Sequence, residues 1–192
     1  MFATKSRAIR FCLSLALLTI MTLSGSALAF ADGPDVTATI TGGSLTESTT
    51  ATPAPSATLA GIDQAVTYDI PITLTDLTGT GTGWNLTITS TQFTTGGGTP
   101  HLLATSASHI TGVTSAHVGT DGYTDPSNLI TYAPLLVPAA ATAPTAVKFF
   151  NADVNTGRGT FTVTPTVSIA LPANTFAGSY TSTVTLAVVS GP

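Results

Sequence analysis

Apolar residues recur at every second position along several stretches of this chain, and this alternation constrains the fold more than any other sequence feature. Every second residue from Val66 to Leu74 is apolar, and the run 160–171 alternates in the same way. Successive side chains of a β-strand point to opposite faces of its sheet, so the period predicts strands with one buried face. No stretch shows the spacing of a sustained amphipathic helix.

Further strands are predicted elsewhere from the same pattern. One begins at the only tryptophan, with Trp84, Leu86 and Ile88 inward and Asn85, Thr87 and Thr89 outward. The other predicted strands are Tyr180–Val188 and, more weakly marked, Val36–Ile40, Leu129–Tyr132 and Ala146–Phe150. Pro71 interrupts the run 66–74 and has no N–H to donate, so we expect that strand to be bulged or to lie at a sheet edge.

The composition agrees with an all-β fold. Apolar residues make up 43% of the chain and charged residues 7%, which is the reverse of the balance in disordered chains. Threonine is abundant, and β-branched side chains suit a pleated, half-buried surface. We therefore predict a single antiparallel, Thr-rich β-sandwich over residues 32–192. The Pro-containing run Thr50–Ala57 comes too early to separate two domains, and residues 94–126 are expected to form a partly ordered excursion.

The first 31 residues have the layout of a secretory signal peptide. Three basic residues precede the apolar run Phe11–Leu23, and small residues follow it. Cleavage is expected after Ala29 or after Ala31. The apolar run is shorter than the roughly 20 residues of a membrane span, and an uncleaved anchor is the alternative.

Cleavage would leave an acidic chain without cysteine. Nine acidic side chains would remain against two basic ones, Lys148 and Arg158, for a net charge of about −7. This balance argues against nucleic acid as a partner. The absence of cysteine after residue 31 excludes disulfides and thiolate metal sites.

Two groups of polar residues invite a metal interpretation that their spacing does not favour. His101, His109 and His117 recur every eight residues, about 26 Å apart on a strand, which is too far for shared coordination. We interpret them as exposed loop histidines. Asp121 and Asp125 lack the spacing of a calcium-binding loop and suit turns, although a weak calcium site stays open. No metal and no cofactor is predicted.

Catalytic motifs are also missing from the sequence. There is no Gly-x-Ser-x-Gly elbow, P-loop or cysteine nucleophile, and Glu47 is the only glutamate. A paired-carboxylate glycosidase would have to use two scattered aspartates. We predict that the protein is not an enzyme.

Trp84 itself allows two interpretations. The small residues Gly81 and Gly83 before it leave room for a bulky ring to pack closely against backbone, as in a sandwich core. Alternatively, the indole is an exposed platform for a sugar ring or a partner protein.

Two segments resemble the WxL domain, a C-terminal cell-surface module of Gram-positive-type bacteria. Gly81–Phe93 resembles its first motif, here Trp84-Asn85-Leu86. Ala177–Pro192 resembles its terminal segment, in which a strand containing a tyrosine, here Tyr180, leads to a second Trp-x-Leu. This chain departs from the family at that point, because it has Leu186-Ala187-Val188 there and lacks the second indole.

The resemblance implies a secreted, extracellular, cell-wall-associated protein that attaches non-covalently to peptidoglycan and acts beside partner surface proteins. The candidate motif residues, for binding or for structure, are Trp84, Asn85, Leu86, Tyr180, Leu186 and Val188. Neither nucleic acid nor, after cleavage, a membrane is expected as a partner. Two alternatives are a self-assembling subunit of a fibre or biofilm matrix, for which thinly protected strand edges argue, and a carbohydrate-binding accessory module, which requires an exposed Trp84.

Overall fold

A computed structural model describes residues 36–192, so the predicted signal peptide 1–31 lies outside the described residues. Residues Ile40–Pro192 form one compact unit, which is the sandwich. The described residues form no helix and ten strands: β1 Leu45–Ser48, β2 Gln64–Asp69, β3 Ile72–Asp76, β4 Trp84–Thr91, β5 Ser108–His117, β6 Leu135–Leu136, β7 Ala139–Ala140, β8 Val147–Ala152, β9 Gly159–Leu171 and β10 Val184–Ser190. The all-β prediction is confirmed.

The larger sheet is organised around the 13-residue strand β9. Its strands lie in the order β1-β3-β9-β5-β6, and β2 pairs with the end of β9 that β3 leaves free. All these pairs are antiparallel. The apolar residues of β9 alternate with threonine and serine, so one face of this strand is buried, as the period-two pattern predicts.

Pro71 splits the predicted strand 66–74 into β2 and β3 rather than only bending it. Asp69 pairs with Thr166 and Ile72 with Val163, so the ladder to β9 is interrupted where Pro165 faces the gap. β2 is an edge strand, whereas β3 lies between β1 and β9 and is not one. Because of this break, Pro71 does not occupy a ladder position at which a backbone N–H would have to donate a hydrogen bond.

The smaller sheet is built on β4. β10 pairs with it on one side, and β8 and the short parallel strand β7 pair with it on the other. The β4–β8 register shifts at Leu86, which pairs with Phe150, while the next residue pairs with Lys148. This bulge lets the consecutive residues Phe149 and Phe150 both be buried.

Some strand predictions were wrong. Val36–Ile40 is not a strand, and Val36 and Ile40 are 90% and 93% exposed. Leu129–Tyr132 is not a strand either, because hydrogen bonds that involve side chains take the place of a strand ladder there. Leu129 N–H donates to Asn151 Oδ1, and the Tyr132 hydroxyl donates to Phe149 O. The region 94–126 contains β5, a full strand of the larger sheet. A bulge between Ile110 and Gly112 shifts the alternation of inward and outward side chains by one residue. The sequence of β5 therefore lacks a continuous period-two pattern.

Candidate functional site

Trp84 lies in the core between the two sheets. Its side chain has 0% exposure, and its ring packs at a tilt against Phe150 with 5.9 Å between centroids. The indole Nε1–H donates a 2.8 Å hydrogen bond to the carbonyl of Gly157. The indole therefore has no free face for a ligand, and the alternative that requires an exposed Trp84 loses its platform.

Gly157 provides the space against which the indole edge packs. Its φ is +71°, and a Cβ built there would overlap the Cβ of Ala152 and lie 2.7 Å from Trp84 Nε1. Only glycine meets both requirements, because other residues disfavour positive φ and carry a Cβ. The loop after β8 therefore packs closely against the indole ring of Trp84 at this glycine.

Asn85 was predicted to face outward, and it is on that face but only 3% exposed. Its Nδ2 donates a 2.7 Å hydrogen bond to the carbonyl of Gly191, beyond the end of β10. Its Oδ1 is buried and has no hydrogen-bond partner within the described residues. Asn85 thus joins the first motif to the terminal segment through backbone rather than through a ligand.

The two motif segments are neighbouring antiparallel strands. Leu86 pairs with Val188, and Ile88 pairs with Leu186. Leu86 is fully buried, whereas Leu186 and Val188 are half-buried members of the same core because β10 is the edge strand of its sheet. The structure therefore brings five of the six candidate residues together in one strand pair.

Tyr180, the sixth, precedes β10 and belongs to a smaller cluster. It packs with Leu103 and Ile169 at the end of the sandwich, and its hydroxyl donates to the carbonyl of Phe176 over 3.0 Å. It contributes to a groove rather than to the tryptophan core.

The groove opens on the side of the sandwich between β2 and the chain that leads into β10, and its volume is about 830 Å³. Its apolar lining includes Val66, Tyr68, Phe93, Leu103, Ile169, Leu171, Phe176, Tyr180 and Val184, and no charged side chain contributes to the lining. Burial in this apolar environment raises the pKa of Tyr68 to about 12. The groove is suited to apolar side chains.

The segment Pro53–Leu59, which we call the strap, lines the groove from outside. All its residues are exposed. The Gln64 side-chain amide holds the strap at one end, donating to Thr58 O over 3.0 Å and accepting from Ala60 N over 2.9 Å. The strap contains Pro53 and Pro55, which lack the N–H groups that strand pairing needs.

An aromatic rim stands at one end of the groove. Phe176 is 61% exposed, and His101 stacks on one face of its ring with centroids 4.0 Å apart and planes at 12°. A hollow of about 170 Å³ beside it is lined by Leu102, Asn174, Thr175 and Tyr180, among others. We call Phe176, His101 and this hollow the rim. Sequence reasoning did not find it, since its two rings come from loops with no periodic signal.

The other two histidines lie on β5 rather than in a loop, and all three are half-buried instead of exposed. His117 stacks on Tyr123 with centroids 3.8 Å apart, and its Nε2 lies 2.9 Å from an Asp121 carboxylate oxygen. Among residues 36–192, no three His, Cys, Asp or Glu side chains are grouped so as to hold a metal ion. His117 and Asp121 fasten the loop that follows β5.

This contact predicts a pH dependence of stability. The hydrogen bond with His117 is the main cause of a lowered pKa at Asp121, which burial opposes. A carboxyl group whose folded pKa is depressed contributes stability above its unfolded pKa of 3.8 and loses that contribution as the pH falls through the folded value. In acid titrations between about pH 4 and pH 2, we expect Asp121→Asn to show a shallower loss of stability than the wild type. Asp125→Asn is the matched control, and an unchanged slope in Asp121→Asn would contradict the expectation.

A family model described as "WxL domain surface cell wall-binding" matches residues 24–192. This chain belongs to the WxL family. The WxL domain includes the whole predicted sandwich, and both motif segments lie inside the match. No curated protein and no solved structure matches the chain.

Membership in this family places the WxL domain at the cell wall, on the outside of the cell. Within the described part of the chain, no helix is both long and apolar enough to cross a membrane.

Proposed function

We propose that this WxL domain is a non-catalytic module that attaches non-covalently to peptidoglycan through the rim. The family is one of cell-wall-binding domains, which supports attachment to the wall. The observation that carries the choice of surface is the ring of Phe176, which stacks on His101 and is still 61% exposed.

The rim has the chemistry that sugar recognition needs. A sugar ring has apolar C–H faces that pack on an aromatic ring, while its hydroxyl and amide groups need hydrogen-bond partners beside that ring. Asn174, Thr175 and the Tyr180 hydroxyl supply such groups around the small hollow. The motif strands β4 and β10 act as a scaffold in this proposal, because Trp84 is enclosed.

Retention of the mature chain on purified, insoluble peptidoglycan tests the proposal. We expect Phe176→Ala to bind about tenfold more weakly, equivalent to about 1.4 kcal/mol, because the ring face is lost. Val154→Ala is the matched control, since Val154 is also an exposed apolar residue but lies outside the linings of the groove and the rim. Equal retention of Phe176→Ala and the wild type would exclude the rim, and no retention of the wild type would exclude peptidoglycan as the ligand.

The pH of the same experiment separates specific contact from charge effects. The sequence pI of the full chain is about 4.9, and the mature chain, which lacks Lys5, Arg7 and Arg10, has a lower pI, so it is negatively charged at neutral pH and is repelled by anionic wall polymers. We expect stronger retention near the pI for the wild type and for Phe176→Ala alike. The difference between the two variants should persist at every pH at which both are folded.

We also propose that the WxL domain works within an extracellular protein complex. The groove supports this proposal, because an uncharged, apolar groove on an exported acidic protein suits another polypeptide better than a hydroxyl-rich polymer. Self-assembly is the second candidate, and the free edge of β10 favours it.

A further inference from the structure

Two aromatic rings are exposed on the described part of the chain, and each of them stacks face to face on a histidine. Phe176 is 61% exposed and Tyr123 is 49% exposed, and no other aromatic side chain among residues 36–192 is exposed. The Phe176–His101 pair has ring centroids 4.0 Å apart and planes at 12°. The Tyr123–His117 pair has nearly the same geometry, with 3.8 Å and 13°. Wall binding through the rim uses only the first of these stacks.

The two stacks lie at opposite ends of the sandwich. His117 pairs with Phe161 near the start of β9. The hollow of the rim is lined by Asn174 and Thr175, which follow the end of β9 at Leu171. Phe161 and Leu171 are ten residues apart in this strand, which corresponds to about 33 Å of extended chain. A short oligosaccharide bound at one stack therefore does not reach the other.

We propose that the stack of Tyr123 on His117, which together with Asp121 we call the second platform, is a second binding site for the glycan strands of the wall. One domain then holds two strands at once, one at each end of the sandwich. This inference rests on the proposed function, because it takes the class of ligand from it and adds a point of contact. Two linked sites give a retention that neither site gives alone.

The rings of the second platform are held in place by the residues around them. The His117 Nε2 lies 2.9 Å from an Asp121 carboxylate oxygen. The His117 and Tyr123 rings both contact Phe161 edge to face, with centroids 5.8 Å and 6.3 Å away. Tyr123 also lies against Gly159, where an added Cβ would come within 2.7 Å of the Tyr123 Cβ. A ring that is already fixed loses little conformational entropy when a ligand binds, which favours recognition.

The loop that carries Tyr123 is itself ordered by the chain that follows β8. Thr124 N–H donates to Arg158 O over 2.9 Å, and Arg158 N–H donates to the Thr124 hydroxyl over 3.2 Å. Gly157 N–H donates to Asp125 O over 3.3 Å. This pairing starts at the residue after Tyr123, so paired backbone fixes the position of the ring.

Closing the core does not account for the exposure of Tyr123. Phe161, which both rings contact, is 0% exposed, so the core is already covered at this end while half of Tyr123 remains accessible. Polar groups also accompany the ring. The Asp121 side chain is 29% exposed, and a carboxylate accepts hydrogen bonds from sugar hydroxyl groups, whereas the phenolic hydroxyl of Tyr123 can donate or accept. The second platform therefore combines an apolar ring with polar neighbours, as the rim does.

Calorimetric titration of the mature chain with short, soluble glycan strands released from peptidoglycan counts the sites. We expect two sites per chain for the wild type, one for Phe176→Ala and one for Tyr123→Ala. Tyr123→Phe keeps the ring and should keep both sites. Leu136→Ala is the matched control, since Leu136 is 42% exposed but pairs with His109, eight residues along β5 from His117, and lies outside the groove and the rim.

The site count on the wild type decides the matter even if Tyr123→Ala does not fold. A single site that Phe176→Ala removes would overturn the second platform and leave the proposed function intact. Two sites that a folded Tyr123→Ala retains would also overturn it, with unchanged Trp84 fluorescence as the criterion of folding. No binding by the wild type would exclude both the proposed function and this inference.

Long glycan strands test whether the two sites bridge. The wild type should cross-link these strands into aggregates that sediment at low speed, whereas Phe176→Ala and Tyr123→Ala should bind the strands without sedimenting them. Retention of Tyr123→Ala on insoluble peptidoglycan should fall at least tenfold, because the second contact is lost. Cross-linking by a folded Tyr123→Ala at the wild-type level, or two sites without any cross-linking by the wild type, would overturn the bridging of two strands.

Discussion

Replacement of Trp84 by alanine is expected to lower the free energy of unfolding by about 3–5 kcal/mol, the range for truncating a buried aromatic side chain. Domains of this kind have total stabilities of about 5–15 kcal/mol, so the loss is a large fraction of the whole. The indole is fully enclosed, touches Phe150 and bonds to Gly157, so its removal leaves a cavity and an unpaired carbonyl. Urea unfolding followed by circular dichroism measures the change.

Trp84→Phe separates packing from hydrogen bonding in that prediction. Phenylalanine keeps an aromatic ring in the core but leaves the Gly157 carbonyl without its 2.8 Å partner, which costs about 1–3 kcal/mol. We therefore expect Trp84→Phe to be intermediate in stability and to retain wall binding when folded. A Trp84→Ala variant with wild-type stability but no wall binding would contradict the structural role.

The same geometry explains how the chain tolerates leucine at the second motif. Trp84 is on the central strand of its sheet and is enclosed, whereas Leu186 is on the edge strand and is half-buried. An edge position has fewer neighbours to lose contact with, so a smaller apolar residue costs less there. The two motif positions therefore differ in their structural demands, although they lie in paired strands.

The parts of the fold that were predicted correctly are those in which a local pattern decides the outcome. In β9 every inward position is apolar, and paired strands on both sides keep the strand regular. The period-two pattern therefore predicted this strand correctly. β5 has the same role on the other side of β9, but its bulge at Ile110 breaks the phase. Val36–Ile40 shows the reverse case, because its alternation is clear and no partner strand lies beside it. The spacing of apolar residues predicts which face of a strand is buried. Which strand pairs with it depends on the rest of the chain.

The rim and the tryptophan pocket could not be predicted for a related reason. Trp84 is fitted to Gly157, and His101 stacks on Phe176, so each contact joins residues more than 70 positions apart in the sequence. The pattern around Trp84 correctly indicated an inward side chain but did not indicate what enclosed it. The exposed ring of Phe176 had no signal at all, since an isolated aromatic residue in a loop is common in both binding and non-binding surfaces.

Gly157→Ala is expected to destabilise the domain without removing any side chain. The added methyl group would overlap Ala152 and crowd the indole Nε1, and alanine would have to adopt a φ of +71°. Overpacking costs about 1–3 kcal/mol, and left-handed backbone adds about 1–2 kcal/mol for a residue with a Cβ. Because Trp84 is the only tryptophan, its fluorescence reports this site directly, and we expect a shift toward the emission of a solvated indole.

Gly122→Ala is the matched control for this variant. Gly122 has no positive φ and no atom near the position of an added Cβ, so its free energy of unfolding should stay within about 0.5 kcal/mol of the wild type. If Gly157→Ala were as stable as Gly122→Ala, the close fit between the loop after β8 and the indole would be wrong.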